Sequence, residues 1–248
     1  MTRVLLITGA SRGIGAATAR LAGQRGYAVG VNYRRDAGAA REVVRDIERA
    51  GGRALAVQAD VGDPGDVERL FAEVEAGLGP VTALVNNAGV LERQARVEEL
   101  DVGRLGRVLT TNVVGPFLCA GAAVRRMSTR LGGTGGAIVN VSSRAAVLGS
   151  AGEYVDYAAS KAALDTLTVG LAREVAAEGI RVCGVRPGLI ETEIHAQGGE
   201  PGRVARLSSG VPLGRGGHPE EVAHAILWLL SDEASYVTGT VLDVSGGR

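Results

Sequence analysis

The sequence predicts a doubly wound α/β fold: one sheet of seven parallel strands with helices on both faces. Three observations carry this. Short apolar runs alternate with helix-periodic stretches from one end of the 248 residues to the other. The runs show no two-residue alternation, which marks strands buried on both faces of a parallel sheet. And a glycine cluster over 9–15 lies between the first apolar run and the first helical stretch, at the strand carboxyl ends where such sheets bind ligands.

Taken in order, Val4–Thr8 is a β-branched run and Ile14–Arg25 has helical periodicity. Ala28–Tyr33 reads as a strand, and Ala37–Ala50 as a helix stopped by Gly51-Gly52. Ala54–Gln58 is a strand. Asp63–Leu78 is a helix opened by Asp63 as cap and Pro64 as first helical residue. Val81–Asn86 is a strand, and a long helix is expected over Asp101–Arg130, kinked at Pro116. Ala137–Ser142 is a strand, Tyr154–Glu178 a helix closed by Gly179, and Ile180–Arg186 a strand. Leu189–Leu213 reads as irregular, Pro219–Ser231 as a helix and Thr240–Val244 as the last strand. Right-handed crossovers turn this order into a single doubly wound domain over 1–248.

Composition narrows the function. Lys+Arg and Asp+Glu both number 27, so the formal net charge is zero, which argues against a nucleic-acid binder. The longest unbroken apolar runs, such as Val4–Ile7 and Ile226–Leu230, are too short to span a bilayer. No signal peptide is read at the N-terminus, and a cytoplasmic protein is expected. Cys119 and Cys183 match no metal or redox spacing, and the three histidines form no zinc motif, so no metal site is expected. One of the 27 basic residues is Lys161, which leaves 26 arginines. Where only positive charge was wanted, this chain uses Arg. The one Lys either marks a position that needs a compact ammonium or is a chance survivor on a helix surface.

The cluster Thr8-Gly9-Ala10-Ser11-Arg12-Gly13-Ile14-Gly15 has the spacing GxxxGxG. Glycines permit the tight turn, and the free N–H groups of the helix start hold phosphate. At the end of the second strand, a binder of NAD places an acid for the ribose hydroxyls. Here that strand ends Asn32-Tyr33-Arg34-Arg35, with Tyr33 in the acid's place. Arg12 and Arg34 are suited to a 2′-phosphate, so NADP(H) is favoured over NAD(H). Asp36 is read as the cap of the next helix. Asp60, ending the third strand, is placed to accept from an adenine amino group.

Tyr157 and Lys161 stand four apart on one helix and share a face. An ammonium beside a phenol lowers its pKa toward a useful acid–base value. Ser142 and Ser143 end the fifth strand, where a hydroxyl can hold a carbonyl. No GxSxG turn surrounds them, which sets aside a serine hydrolase. Asn86-Asn87-Ala88-Gly89 ends the fourth strand and either braces the sheet or lines the cleft. Asn112, among apolar neighbours, is either a satisfied structural residue or part of a proton relay.

Together these pieces resemble the short-chain dehydrogenase/reductase family over essentially the whole chain: Thr8–Gly15, Asp60, Asn86–Gly89, Asn112, Ser143, Tyr157 with Lys161, Pro187-Gly188 and the tail Gly239–Gly247. The resemblance implies a Rossmann-type oxidoreductase, usually a homotetramer, that moves hydride reversibly between a nicotinamide and an alcohol or carbonyl. It implies Tyr157 as proton donor and Ser143 as the carbonyl's partner. Lys161 would sit on the nicotinamide ribose and depress the Tyr157 pKa, and Asn112 would hold a water linking Lys161 to solvent. Val61, Asn87, Ala88, Gly89, Pro187, Gly188, Ile190 and Thr192 would line the cofactor cleft, with Thr192 on the carboxamide. Ser143 and Tyr157 are 14 apart where 13 is common in the family, which leaves Ser142 as a second candidate. Cys183 stands where the family often has Asn.

The substrate is less legible. A loop over 189–213 is expected to act as a lid, with Arg144 and Glu153 beside it. Bacterial 3-oxoacyl-carrier-protein reductases and glucose-dehydrogenase-like members are the nearest kinds within the resemblance. An acidic carrier protein would need a basic patch; Arg125, Arg126 and Arg130 either form it or complement a helix end. The alternative class is a binder of NADP(H) that regulates without turnover.

Overall fold

The computed structural model describes residues 3–248. Seven parallel strands form one sheet in the order β3-β2-β1-β4-β5-β6-β7. They are β1 (Val4–Ile7), β2 (Ala28–Tyr33), β3 (Arg53–Gln58), β4 (Val81–Asn86), β5 (Gly136–Val141), β6 (Ile180–Pro187) and β7 (Val241–Val244). β1 lies between β2 and β4, so the winding reverses there and a crevice opens at the carboxyl ends of β1 and β4.

Each strand feeds two cores because successive side chains point to opposite faces. Leu5 and Ile7 pack on one side with Ala16 and Ala19 of α1 (Gly13–Gln24), Val43 of α2 (Ala37–Arg49) and Ile226 near the C-terminus. Val4 and Leu6 pack on the other side with Leu70 and Phe71 of α3 (Pro64–Leu78) and with Cys119 and Met127. Both cysteines are buried and free.

The long helix expected over Asp101–Arg130 is interrupted. It runs as α4 (Val102–Leu109), a π-helical turn over Thr110–Val114, and α5 (Gly115–Met127). The Gly115 N–H reaches back five residues to the Thr110 carbonyl. Pro116 is the physical reason: it has no N–H to offer the carbonyl four residues earlier, that of Asn112. The sequence signal was a kink at Pro116; the chain widens the preceding turn instead. By length and mean hydropathy, 1.3 over its most apolar window, Val102–Met127 is long and apolar enough to cross a membrane, although no unbroken apolar run is. Here Cys119, Ala122, Ala123 and Met127 on this helix are committed to the core.

After α6 (Ala145–Leu148) comes α7 (Val155–Val175). The segment expected to be irregular holds two short helices, α8 (Ile194–Gln197) and α9 (Arg203–Leu207), before α10 (Pro219–Leu230). Asp36 caps α2 by accepting from the Ala39 N–H at 2.9 Å, as read from the sequence.

Candidate active site

The carboxyl ends of β1, β2, β4, β5 and β6 border a cleft of about 920 Å³. One end is the glycine turn. Gly9 (φ +61°) and Gly13 (φ +53°) take left-handed backbone. A Cβ on Gly9 would stand 2.9 Å from the Ala88 Cα, and one on Gly15 would stand 2.5 Å from the Asn87 Nδ2. The turn is held from the β4 end. Thr8 Oγ1 accepts from the Asn87 and Ala88 N–H groups at 3.0 Å each. Asn87 Nδ2 donates to the Thr8 and Gly9 carbonyls at 2.9 and 3.0 Å.

Asn32, named from the sequence as a cofactor contact, is largely spent on the fold. Its Oδ1 accepts from the Gly9 N–H at 3.1 Å and its Nδ2 donates to the Ala59 carbonyl at 3.1 Å. Tyr33, Arg34 and Arg35 line the cleft beside it. Arg34 Nε lies 2.9 Å from Asp60 Oδ2, and Asp60 Oδ1 accepts from the Gly62 N–H at 3.0 Å. Asp60 thus carries a guanidinium where an adenine amino group was expected. With its amide turned so that the oxygen faces Arg12, Gln197 on α8 accepts from that guanidinium at 3.0 Å, which sets the lid against the glycine turn.

The other end holds the candidate catalytic groups. Val141, Ser142, Ser143, Tyr157 and Lys161 line the cleft together with Gly89, Pro187, Gly188, Ile190 and Thr192. The two serines part company. Ser142 is buried and donates to the Lys161 carbonyl at 3.0 Å, so it fastens β5 to α7. Ser143 accepts from the Ala145 N–H at 3.1 Å and faces the cleft beside Tyr157, whose hydroxyl it acts on. Strand alternation explains the difference: adjacent residues point apart.

Burial pushes the Tyr157 hydroxyl up to about 12, with Ser143 pulling it back. The direction is opposite to the fall expected beside Lys161, because burial outweighs the other influences on the hydroxyl. Lys161 Nζ lies 5.6 Å from the Tyr157 ring centroid and donates to the Val141 carbonyl at 2.8 Å. Burial lowers Lys161 to about 8, and Asp165, one turn on, opposes that.

Asn112 and Gly15 stand behind the cleft wall rather than on it. Asn112 Oδ1 accepts from the Val90 N–H at 2.8 Å, and Nδ2 donates to the Val90 carbonyl and to Ser160 Oγ at 3.0 Å each. Both amide donors are used, so a water relay through the side chain has no free N–H. A Cβ on Gly89 would stand 3.4 Å from Lys161 Nζ and 3.5 Å from Asn112 Oδ1, which places all three together.

Sequence reading missed one support. Arg104 of α4 forks onto Asp156, with Nε to Oδ2 at 2.7 Å and NH2 to Oδ1 at 3.2 Å. Asp156 Oδ1 also accepts from the Tyr157 N–H at 2.9 Å. The pair spans 52 positions, and no local motif announces it. The basic patch offered for a carrier protein is neutralised. Arg125 pairs with Glu68, Arg126 with Glu68 and Glu75, and Arg130 with Glu178.

A crevice at a parallel-sheet switch point, with a glycine turn at one end and Ser, Tyr and Lys at the other, defines an α/β oxidoreductase. Comparison with known proteins agrees. A family model described as enoyl-(acyl carrier protein) reductase matches residues 9–248. An uncharacterised oxidoreductase of Escherichia coli (strain K12), YgfF, is 59% identical over 99% of each chain. A cis-4-hydroxycyclohexanecarboxylate dehydrogenase of Sinomonas cyclohexanicum is 44% identical, covering 99% of this chain and 96% of that one. A short-chain type dehydrogenase/reductase structure from Mycobacterium marinum superposes with a TM-score of 0.92 at 35% identity, over 99% of this chain and 94% of that one. The chain belongs to the short-chain dehydrogenase/reductase family.

Proposed function

We propose that this chain is an NADP(H)-dependent reductase of ketones and, in reverse, a dehydrogenase of secondary alcohols. The observation that carries the reading is the meeting of Ser143, Tyr157 and Lys161 in the same cleft as the glycine turn. The residues fit the cofactor. A Cβ would fill the cradle at Gly9 and Gly15, and the helix start behind it suits a pyrophosphate. Tyr33 replaces the acid that would repel a 2′-phosphate, and Arg12, Arg34 and Arg35 line that end. NADPH, when bound, supplies the hydride.

The chain's own groups do the rest. Ser143 Oγ holds the substrate carbonyl, and the Tyr157 hydroxyl donates its proton to the carbonyl oxygen as negative charge grows there. A phenol held neutral by burial is the form a proton donor needs at neutral pH. Lys161 places an ammonium beside the cofactor ribose and under the phenol. Once Tyr157 has given up its proton, that charge stabilises the phenolate. Asn112 fixes Ser160 and Val90 around Lys161. A relay water would sit on the Asn112 backbone carbonyl, the one Pro116 deprives of its helical donor.

The test is an absorbance assay of NADPH and NADH oxidation over ketones, β-ketoesters, diketones, quinones and sugars, with wild type beside Tyr157→Phe. NADPH oxidation that vanishes in the variant, with cofactor affinity kept, is the expected result. Equal or better use of NADH removes the role given to Arg12 and Arg34. Cofactor binding with no turnover on any compound leaves two readings, a substrate outside the panel or a non-catalytic binder.

We further propose a homotetramer in the cytoplasm. Exposed Val102, Val114 and Phe117 on α4–α5, and Tyr236 and Leu242 near the C-terminus, support apolar contacts between copies. Two free buried thiols suit a reducing compartment. A monomer by light scattering at micromolar concentration contradicts the assembly.

A further inference from the structure

Resting on that reductase reading, we propose that Glu153 and Arg203 form a specificity-determining clasp that suits the substrate half of the cleft to uncharged carbonyl compounds. Arg203 opens α9 in the lid and is 8% exposed. Its NH1 donates to Glu153 Oε1 at 2.9 Å and its NH2 donates to Glu153 Oε2. A guanidinium fork is the natural receptor for a planar carboxylate. Here the protein's own carboxylate already occupies it.

The surroundings hold the fork in place. The guanidinium lies 5.1 Å over the Tyr154 ring, and the Tyr154 hydroxyl donates to the Gly198 carbonyl at 3.1 Å. Arg203 NH1 also donates to Glu200 Oε2 at 3.0 Å, and Glu200 pairs in turn with Arg206. Arg203 keeps the Glu153 carboxyl below its ordinary value, and Arg206 with Arg203 pulls Glu200 down to about 2. All four groups are therefore charged at neutral pH, two of each sign, and the cluster sums to zero.

Glu153, Tyr154 and Arg203 all line the cleft. Arg144, on the β5 side of the same cleft, donates to Asp243 at 2.6 Å. His195 is held by burial below its ordinary value and stays neutral. The remaining lining near Ser143 and Tyr157 includes Leu91, Leu148 and Ile194. A substrate that brings its own carboxylate must displace Glu153, which is tethered in place. A neutral ketone needs only the two hydroxyls and the apolar wall.

Neutralising Glu153 leaves one surplus positive charge and a half-open fork. The experiment compares 4-methylcyclohexanone with 4-oxocyclohexanecarboxylate, two ketones that differ by methyl against carboxylate. Wild type, Glu153→Gln and Arg203→Met are assayed with NADPH, and binding is read separately by quenching of NADPH fluorescence. Wild type is expected to favour the methyl ketone in kcat/KM by at least about tenfold, the factor one displaced charge-assisted hydrogen bond gives. Glu153→Gln is expected to shrink that ratio by a similar factor, through a lower KM for the carboxylate. Arg203→Met loosens the lid without supplying a receptor and should not favour the carboxylate. A wild type that prefers the carboxylate overturns the proposal. So does a Glu153→Gln variant that loses activity on both ketones in equal measure, because the pair is then only a latch. If wild type binds both probes with the stated preference but reduces neither, the reductase reading fails and the clasp stands. If neither probe binds, the clasp is overturned.

Discussion

Replacing Arg104 by Met tests how the catalytic helix is anchored. Arg104 joins α4 to the first turn of α7 through two bonds to Asp156, and its NH1 donates to the Arg93 carbonyl at 2.6 Å. The Asp156 side chain is 2% exposed and that of Arg104 is 10% exposed. Burial works to raise the Asp156 carboxyl, but Arg104 and the Tyr157 N–H overcome it and hold it below its ordinary value. Met keeps the apolar stem and strands the carboxylate, which costs about 3–5 kcal/mol for a buried pair broken on one side. At about 2–4 °C per kcal/mol for a chain of this size, the melting temperature should fall by roughly 6–20 °C. Scanning calorimetry at pH 7 measures this. The double variant Arg104→Met/Asp156→Asn removes the stranded charge while keeping an acceptor for the Tyr157 N–H, so it should recover more than half of the loss. A fall of under about 2 °C in the single variant, or no recovery in the double, refutes the reasoning. The sign with pH is fixed as well. A depressed carboxyl gives stability above its ordinary value of about 4, and that contribution fades as pH falls through the range below it.

Three further outcomes follow from the site. Lys161→Met should abolish turnover yet be stabilised relative to wild type at pH 7. Burial sets Lys161 near 8 against an ordinary value of 10.5, so wild type carries a penalty below pH 8 that fades toward pH 10.5; a stability difference that does not shrink between pH 7 and pH 10 contradicts this. Gly9→Ala should weaken both folding and NADPH binding, because φ is +61° and the new Cβ would stand 2.9 Å from the Ala88 Cα; an overpacking cost of about 1–3 kcal/mol is expected in denaturant titrations. Arg34→Ala should weaken NADPH binding about tenfold and leave NADH binding within about twofold, by fluorescence titration, as expected for one charge-assisted contact; equal losses for both cofactors would instead point to its bond with Asp60.

The sheet was readable because burial on two faces leaves an unmistakable run of apolar residues, and every strand was located to within about two residues. The π-helical turn was not, since hydrogen-bond register inside a helix leaves no hydropathy signature; Pro116 signalled a disturbance without its kind. The short lid helices α8 and α9 hold four and five residues, too few for periodicity to show. Ser142 and Ser143 could not be separated by spacing, because the choice depends on which face of β5 each one leaves. Glu153 and Arg203 were each visible as polar residues near the site, but 50 positions of chain separate them and only the folded lid joins them. Arg104 and Asp156 left no signal of any kind. Long-range ion pairs are settled by packing, and a lone sequence does not record them.

The burial of Lys161 has a practical consequence. Trypsin finds only arginines to cut in accessible segments, and amine-directed reagents meet no exposed lysine anywhere along the chain. Apart from the chain's own terminal amine, acylating dyes, cross-linkers and amine-coupling surfaces have one target, and it is 3% exposed at the floor of the cleft. Because that amine is held near 8, an appreciable fraction is unprotonated and nucleophilic at mildly basic pH. Acylation of a single position then becomes a footprint of the cleft: its rate reports whether the floor is open, and its suppression by added dinucleotide reports occupancy without any turnover at all.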